Sequence, residues 1–113
     1  SGGGSATNTT VNGGGEMVVH GIATDTIINS GGLQAVSGGG SATNTTVNGG
    51  GEMVVHGIAT DTIINSGGLQ SVSGGGSAMN ITVNGGGDQS VYISGSVAET
   101  NINSGGMLQV EGG

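Results

Sequence analysis

His20 and His56 are the side chains of this 113-residue chain that could act as general bases or take a metal ion near neutral pH. Each lies in the same stretch, VVHGIATD, thirty-six residues apart. The acidic residues are Glu16, Asp25, Glu52, Asp61, Asp88, Glu99 and Glu111. A hydrolase would need carboxylates closely paired, or a nucleophile with a base beside it, and neither grouping occurs along the chain. Glycine-rich runs such as SGGGS do not join a strand to a helix, so they do not form a phosphate-binding loop. Calcium-binding turns of the β-roll kind carry an Asp in each glycine turn, and these turns carry none. No catalytic residue, metal site or cofactor site is therefore expected.

Composition narrows the remaining classes. The chain has 29 glycines and one aromatic residue, Tyr92, with no proline and no cysteine. Lysine and arginine are absent and the formal charge is -7. Nucleic-acid binding is excluded as a role, because Lys and Arg supply most of that affinity. Without cysteine, the redox compartment has no marker. Glycine at every third residue is missing, which excludes a collagen helix. Large apolar side chains are too few for a thick globular core. No apolar run is long enough to span a membrane, and no signal peptide is visible. Both ends fall inside a repeat, so the chain reads as a piece of something longer.

Whatever these residues do, a repeat positions them. Ser1–Val36 recurs as Ser37–Val72 with one change, Ala35 to Ser71, and a looser copy begins at Ser73. Each copy divides again, GSATNTTVNGGGEMVV lying over GIATDTIINSGGLQAV. Six units follow, 1–19, 20–36, 37–55, 56–72, 73–91 and 92–110, with 111–113 beginning another. Their lengths are 19, 17, 19, 17, 19 and 19 residues, the variation lying at one corner.

Period-two alternation between glycine turns predicts strands, and no segment has helical spacing. Thr7, Thr9 and Val11 are expected on the inward face, as are Met79, Ile81 and Val83. Met17 with Val19, and Gln34 with Val36, are in phase further on. Strands this short bury a face only by stacking coil on coil. The expected fold is all-β, a right-handed parallel β-helix of about six coils of 17–19 residues. A left-handed triangular helix would need six-residue sub-periods, which are absent.

The same spacing assigns files along the rod. Asn12, Asn29, Asn48, Asn65, Asn84 and Asn103 precede the glycine turns, where left-handed backbone is expected. Stacked at about 4.8 Å, they could form a hydrogen-bonded ladder. Glu16, Leu33, Glu52, Leu69, Asp88 and Met107 share a second file, which keeps its acids two coils apart. Asn8, Asp25, Asn44, Asp61, Asn80 and Glu99 form a third, expected to be a solvated face. His20 and His56 then lie two coils apart, too far for one ion with bonds of about 2 Å. The Asn-x-Thr sequons at Asn8, Asn44 and Asn80 arise readily in such Asn/Thr-rich repeats.

The unit A-T-x-T-x-V/I-N-x-G-G-x-Q-x-V followed by S-G-G resembles the passenger repeats of AIDA-type self-associating autotransporter adhesins. It is carried by ATDTIINSGGLQAV at Ala23–Val36, its copy at Ala59–Val72, and DQSV at Asp88–Val91. The resemblance extends over the whole chain; Met17 and Met53 stand where the family usually has Gln. It implies a passenger displayed at the Gram-negative cell surface, outside the outer membrane, acting in cell aggregation, biofilm formation or host adhesion. The partners it implies are like passengers or a host cell surface. It further implies O-heptosylation of Ser and Thr by a dedicated heptosyltransferase. Ser30, Ser37, Ser66, Ser73 and Ser104 match the acceptors best, followed by Thr10, Thr46 and Thr82. The alternative is a passive stalk that presents a more distal binding domain. A pectate-lyase-like hydrolase shares the architecture but needs clustered carboxylates with Lys or Arg, and this chain has neither cation.

Overall fold

A computed structural model describes residues 5–92 and 95–110. Ile93 and Ser94, and the further coil expected at 111–113, lie outside the described residues. The first coil supplies β1 (Ser5–Thr7), β2 (Thr10–Val11) and β3 (Glu16–Val19), and the second β4 (Ile22–Thr24), β5 (Ile27–Ile28) and β6 (Leu33–Val36). The third gives β7 (Ser41–Thr43), β8 (Thr46–Val47) and β9 (Glu52–Val55), and the fourth β10 (Ile58–Thr60), β11 (Ile63–Ile64) and β12 (Leu69–Val72). The last two are β13 (Ser77–Met79), β14 (Thr82–Val83) and β15 (Asp88–Val91), then β16 (Ser96–Ala98), β17 (Asn101–Ile102) and β18 (Met107–Val110).

Every third strand joins the same sheet, so three six-stranded sheets form the sides of a parallel β-helix. Between β1 and β16 the chain completes five full turns, and β16 to β18 make most of a sixth. All pairings are parallel and unbroken in register: Ala6 lies on Ala23, Val11 on Ile28, and Val19 on Val36. Each strand is too short to fold alone. Its neighbours above and below satisfy its backbone and cover its inward side chains.

The core is a narrow column. Ala23, Ala42 and Ala59 line one side, Ile28, Val47 and Ile64 the second, and Val36, Val55 and Val72 the third, all fully buried. Gln34, Gln70 and Gln89 are buried in the column as well. The Gln89 amide donates to Gln70 Oε1 at 2.6 Å, and the Gln70 amide donates to Met53 Sδ at 3.5 Å. A methionine in the glutamine file is thus accommodated as a weak acceptor.

Two expectations fail, both at corners of the coil. Met79 points outward, 45% exposed, and Thr7 is exposed, while Ala78 takes the inward place. The reason is backbone geometry. Asn8, Asp25, Asn44, Asp61, Asn80 and Glu99 have φ between 55° and 59°. A left-handed residue between the first and second strands turns the corner and resets the alternation, so Ala6 and Val11 face in although their spacing is odd. Left-handed backbone was expected at the Asn12 file, but none of those asparagines has a positive φ. In the glycine turn the strained position falls two residues later, at Gly31 (φ 80°) for instance. The next residue, Gly32, must also be glycine, because a Cβ there would lie 2.5 Å from the Val11 carbonyl oxygen one coil away.

Candidate functional site: two outer corners

Three corners join the sheets, and each presents a different surface. At the corner after β2, β5 and the equivalent strands, six asparagines stack. Asn29 donates to Asn12 at 2.8 Å, Asn48 to Asn29 at 2.9 Å, and Asn65 to Asn48 at 2.9 Å. Asn84 donates to Asn65 at 2.9 Å and Asn103 to Asn84 at 2.7 Å. Each interior amide donates once and accepts once, which holds one corner of every coil at the same azimuth.

The residue following each asparagine alternates between glycine and serine: Gly13, Ser30, Gly49, Ser66, Gly85 and Ser104. Ser30, Ser66 and Ser104 are all exposed. Above Ser30 the chain has only Gly49 and Gly50, and the Ser30 hydroxyl leans so far over Gly50 that a Cβ there would lie 2.6 Å from it. Gly86 stands in the same relation to Ser66, at 2.5 Å. The hydroxyls therefore recur every second coil, about 9.6 Å apart, with side-chain-free glycine between them. The remaining candidate acceptors are more crowded. Ser37 and Ser73 are half-buried, and register places Ser37 between His20 and His56 of the adjacent coils. Thr10 is exposed, whereas Thr46 and Thr82 are half-buried, and Thr10 and Thr46 lie beside Ile27 in the adjacent strand.

The second surface is a groove at the corner of the left-handed residues. A cavity of about 520 Å³ is lined by Asn8, Asp25, Asn44 and Asp61 on one side and Thr10, Ile27, Thr46 and Ile63 on the other. A further cavity of about 340 Å³ shares Asn44, Asp61 and Ile63 with it and continues to Asn80, Thr82 and Asn101. Ile27 and Ile63 are each 42% exposed. The sequence pattern marks the Asn8, Asp25, Asn44 and Asp61 file as solvated; its meeting with the Thr10, Ile27, Thr46 and Ile63 file in one continuous groove depends on the backbone bend, which the pattern does not reveal. Within it, Asn44 donates to Asp25 Oδ1 at 3.2 Å.

His20 and His56 are both exposed, at the third corner, and Tyr92 takes the equivalent place in the fifth coil. Among the described residues no three His, Cys, Asp or Glu side chains come close enough to share a metal ion. The acidic file keeps its register, Glu16 on Leu33, Leu33 on Glu52, Glu52 on Leu69 and Leu69 on Asp88, so carboxylates never stack on carboxylates.

Two comparisons bear on this surface. Residues 18–68 match a family model described as "Adhesin of bacterial autotransporter system, probable stalk". The crystal structure of a TibC-catalysed, hyper-glycosylated TibA fragment superposes with a TM-score of 0.92 at 55% sequence identity, over 96% of this chain. Over residues 18–68 the chain is similar to AIDA-type adhesin stalk repeats, and over nearly its whole length to the TibA fragment. It spans 40% of the length of the TibA fragment. No curated protein matches it. In the reaction that the TibA description names, a protein of this fold is the substrate rather than the catalyst, and the stalk description is likewise structural.

Proposed function

We propose that the chain is a segment of a surface-displayed autotransporter adhesin passenger, O-glycosylated at its serine corners and acting in cell aggregation, biofilm formation or host adhesion. The supporting observation is the exposed Ser30, Ser66 and Ser104 series, set between glycines on a fold 55% identical to a hyper-glycosylated fragment. The sugar is a heptose and the modifying partner a heptosyltransferase. The exposed serine corner suits an enzyme that approaches a rod from outside, since each acceptor is presented identically every two coils. Ser30, Ser66 and Ser104 are the principal acceptors; the crowding at Ser37, Ser73, Thr46 and Thr82 makes these secondary, with Thr10 between the two groups.

Adhesion would act through the groove and its flanking files, where many weak contacts repeated along a rod add through multivalency. The partner is a like passenger, met through the flanking files, or a host surface. Displaying the passenger on Gram-negative cells and measuring their settling tests this directly. Clumping that depends on these coils supports adhesion by the rod itself. If the coils can be exchanged for an unrelated rod of equal length with no loss of adhesion, the segment is a spacer. The words "probable stalk" in the matching family favour that second role, as does the near-perfect thirty-six-residue duplication, which changes length in whole pairs of coils.

A further inference from the structure

The groove beside β2, β5, β8, β11, β14 and β17 runs over all six coils, and no described residue covers it. Its rim alternates amide and acid, with Asp25 and Asp61 on the second and fourth coils. Its other wall alternates threonine with Ile27 and Ile63 on those same two coils. Acid and aliphatic side chain thus arrive together on the second and fourth coils, about 9.6 Å apart, while the sixth pairs Glu99 with Asn101. The chain has no lysine or arginine to place against these carboxylates. A second copy would bring another net charge of -7 and no such cation either, which opposes self-pairing in this groove.

We infer that the groove binds a basic, extended segment of a different protein, in polyproline II conformation, with Lys or Arg at every third residue. This rests on the adhesive role proposed above and names its partner. The argument is one of matching periods. A polyproline II chain rises about 3.1 Å per residue with three residues per turn, so such cations recur on one side at about 9.3 Å. A β-strand repeats a face every two residues, at roughly 6.6–6.8 Å, and falls out of step after one contact. The backbone supplies the second match. Polyproline II leaves its C=O groups and the N–H groups of its non-proline residues free, and Asn44 between the acids and Asn8 on the first coil offer amides that both donate and accept. An α-helix satisfies its own backbone and would leave those amides unused. The aliphatic stems of Lys or Arg can lie along Ile27 and Ile63 while their charged heads reach Asp25 and Asp61.

The rod itself provides fold-neutral variants. Asp25→Asn with Asp61→Asn gives the second and fourth coils the left-handed residue that Asn8, Asn44 and Asn80 already supply. Ile27→Thr with Ile63→Thr likewise copies Thr10, Thr46 and Thr82. The probe is a labelled twelve-residue peptide repeating Lys-Pro-Pro, titrated with the 113-residue chain by fluorescence anisotropy at low salt; circular dichroism checks each variant. A peptide of equal lysine count spaced every fourth residue, and a chito-oligosaccharide with free amines, serve as comparisons. The every-third peptide should bind, and Asp25→Asn/Asp61→Asn should weaken it about two- to thirtyfold, the range expected for two surface ion pairs. The every-fourth peptide should bind several-fold more weakly, and Ile27→Thr/Ile63→Thr should lower affinity at undiminished charge. Equal affinity for both spacings, binding unchanged by the Asp substitutions, no binding of the peptide, or binding of the amino sugar alone would overturn the inference. The settling assay separates the two levels. Clumping without peptide binding removes this partner and leaves adhesion standing; peptide binding by a passenger that clumps nothing does the reverse.

Discussion

Removing one amide from the middle of the asparagine ladder should cost more than removing the amide at its end. Asn65 donates to Asn48 and accepts from Asn84, both at 2.9 Å, at a half-buried corner. Asn12, exposed in the first coil, accepts one bond, from Asn29. Net stabilisation is roughly 0.5–1.5 kcal/mol per hydrogen bond, so Asn65→Ala should lose about 2 kcal/mol and Asn12→Ala about half that or less. Neither position has a positive φ, so the substitution adds no backbone strain to the comparison. For a chain of this length, 1 kcal/mol corresponds to about 4 °C in Tm. Thermal melts followed by circular dichroism should therefore show a fall of about 8 °C for Asn65→Ala and less than about 4 °C for Asn12→Ala. Equal shifts, or an Asn65→Ala melt within about a degree of the parent, would refute the ladder as a source of stability.

Three further outcomes follow from the corners. Asn44→Val should destabilise by at least about 1–2 kcal/mol in urea unfolding, because a β-branched residue resists the left-handed region, while Asn44→Gly should cost much less. Gly32→Ala should cost about 1–3 kcal/mol or more by the same assay, since its Cβ meets the Val11 carbonyl and cannot be relieved by a side-chain rotation. Asp25 and Asp61, about 9.6 Å apart, repel by about 0.4 kcal/mol in water before screening. Raising sodium chloride from low millimolar to half-molar should therefore raise Tm by a degree or two, and a fall in Tm would contradict that account.

Much of the architecture could be read from residue order, because in a solenoid the neighbour in space is the next copy in sequence. Aligning Ala6 with Ala23, or Glu16 with Leu33 and Glu52, gives the strand register directly. The asparagine file was readable for the same reason. What period-two reasoning missed is a corner made by one residue. Between Ala6 and Val11 the odd spacing signals a break in the strand, but Thr7 and Thr9 are equally at home on either face and hide it. Met79 then looked like proof of an inward face when it lies outside. The signal was present in Asn8, Asp25, Asn44, Asp61 and Asn80, since Asn and Asp enter the left-handed region more readily than other side chains. Glu99 in the sixth coil, which has no such preference, blurred it. The groove was illegible for the same reason, because its concavity is a consequence of that bend.

The central claim is that this rod presents serine corners to a glycosylating enzyme, and intact-mass spectrometry of the protein made in its own host, followed by site mapping, tests it most directly. The predicted result is added mass in regular heptose increments, carried first by Ser30, Ser66 and Ser104. An unmodified mass, or sugar confined to residues away from these corners, would contradict it.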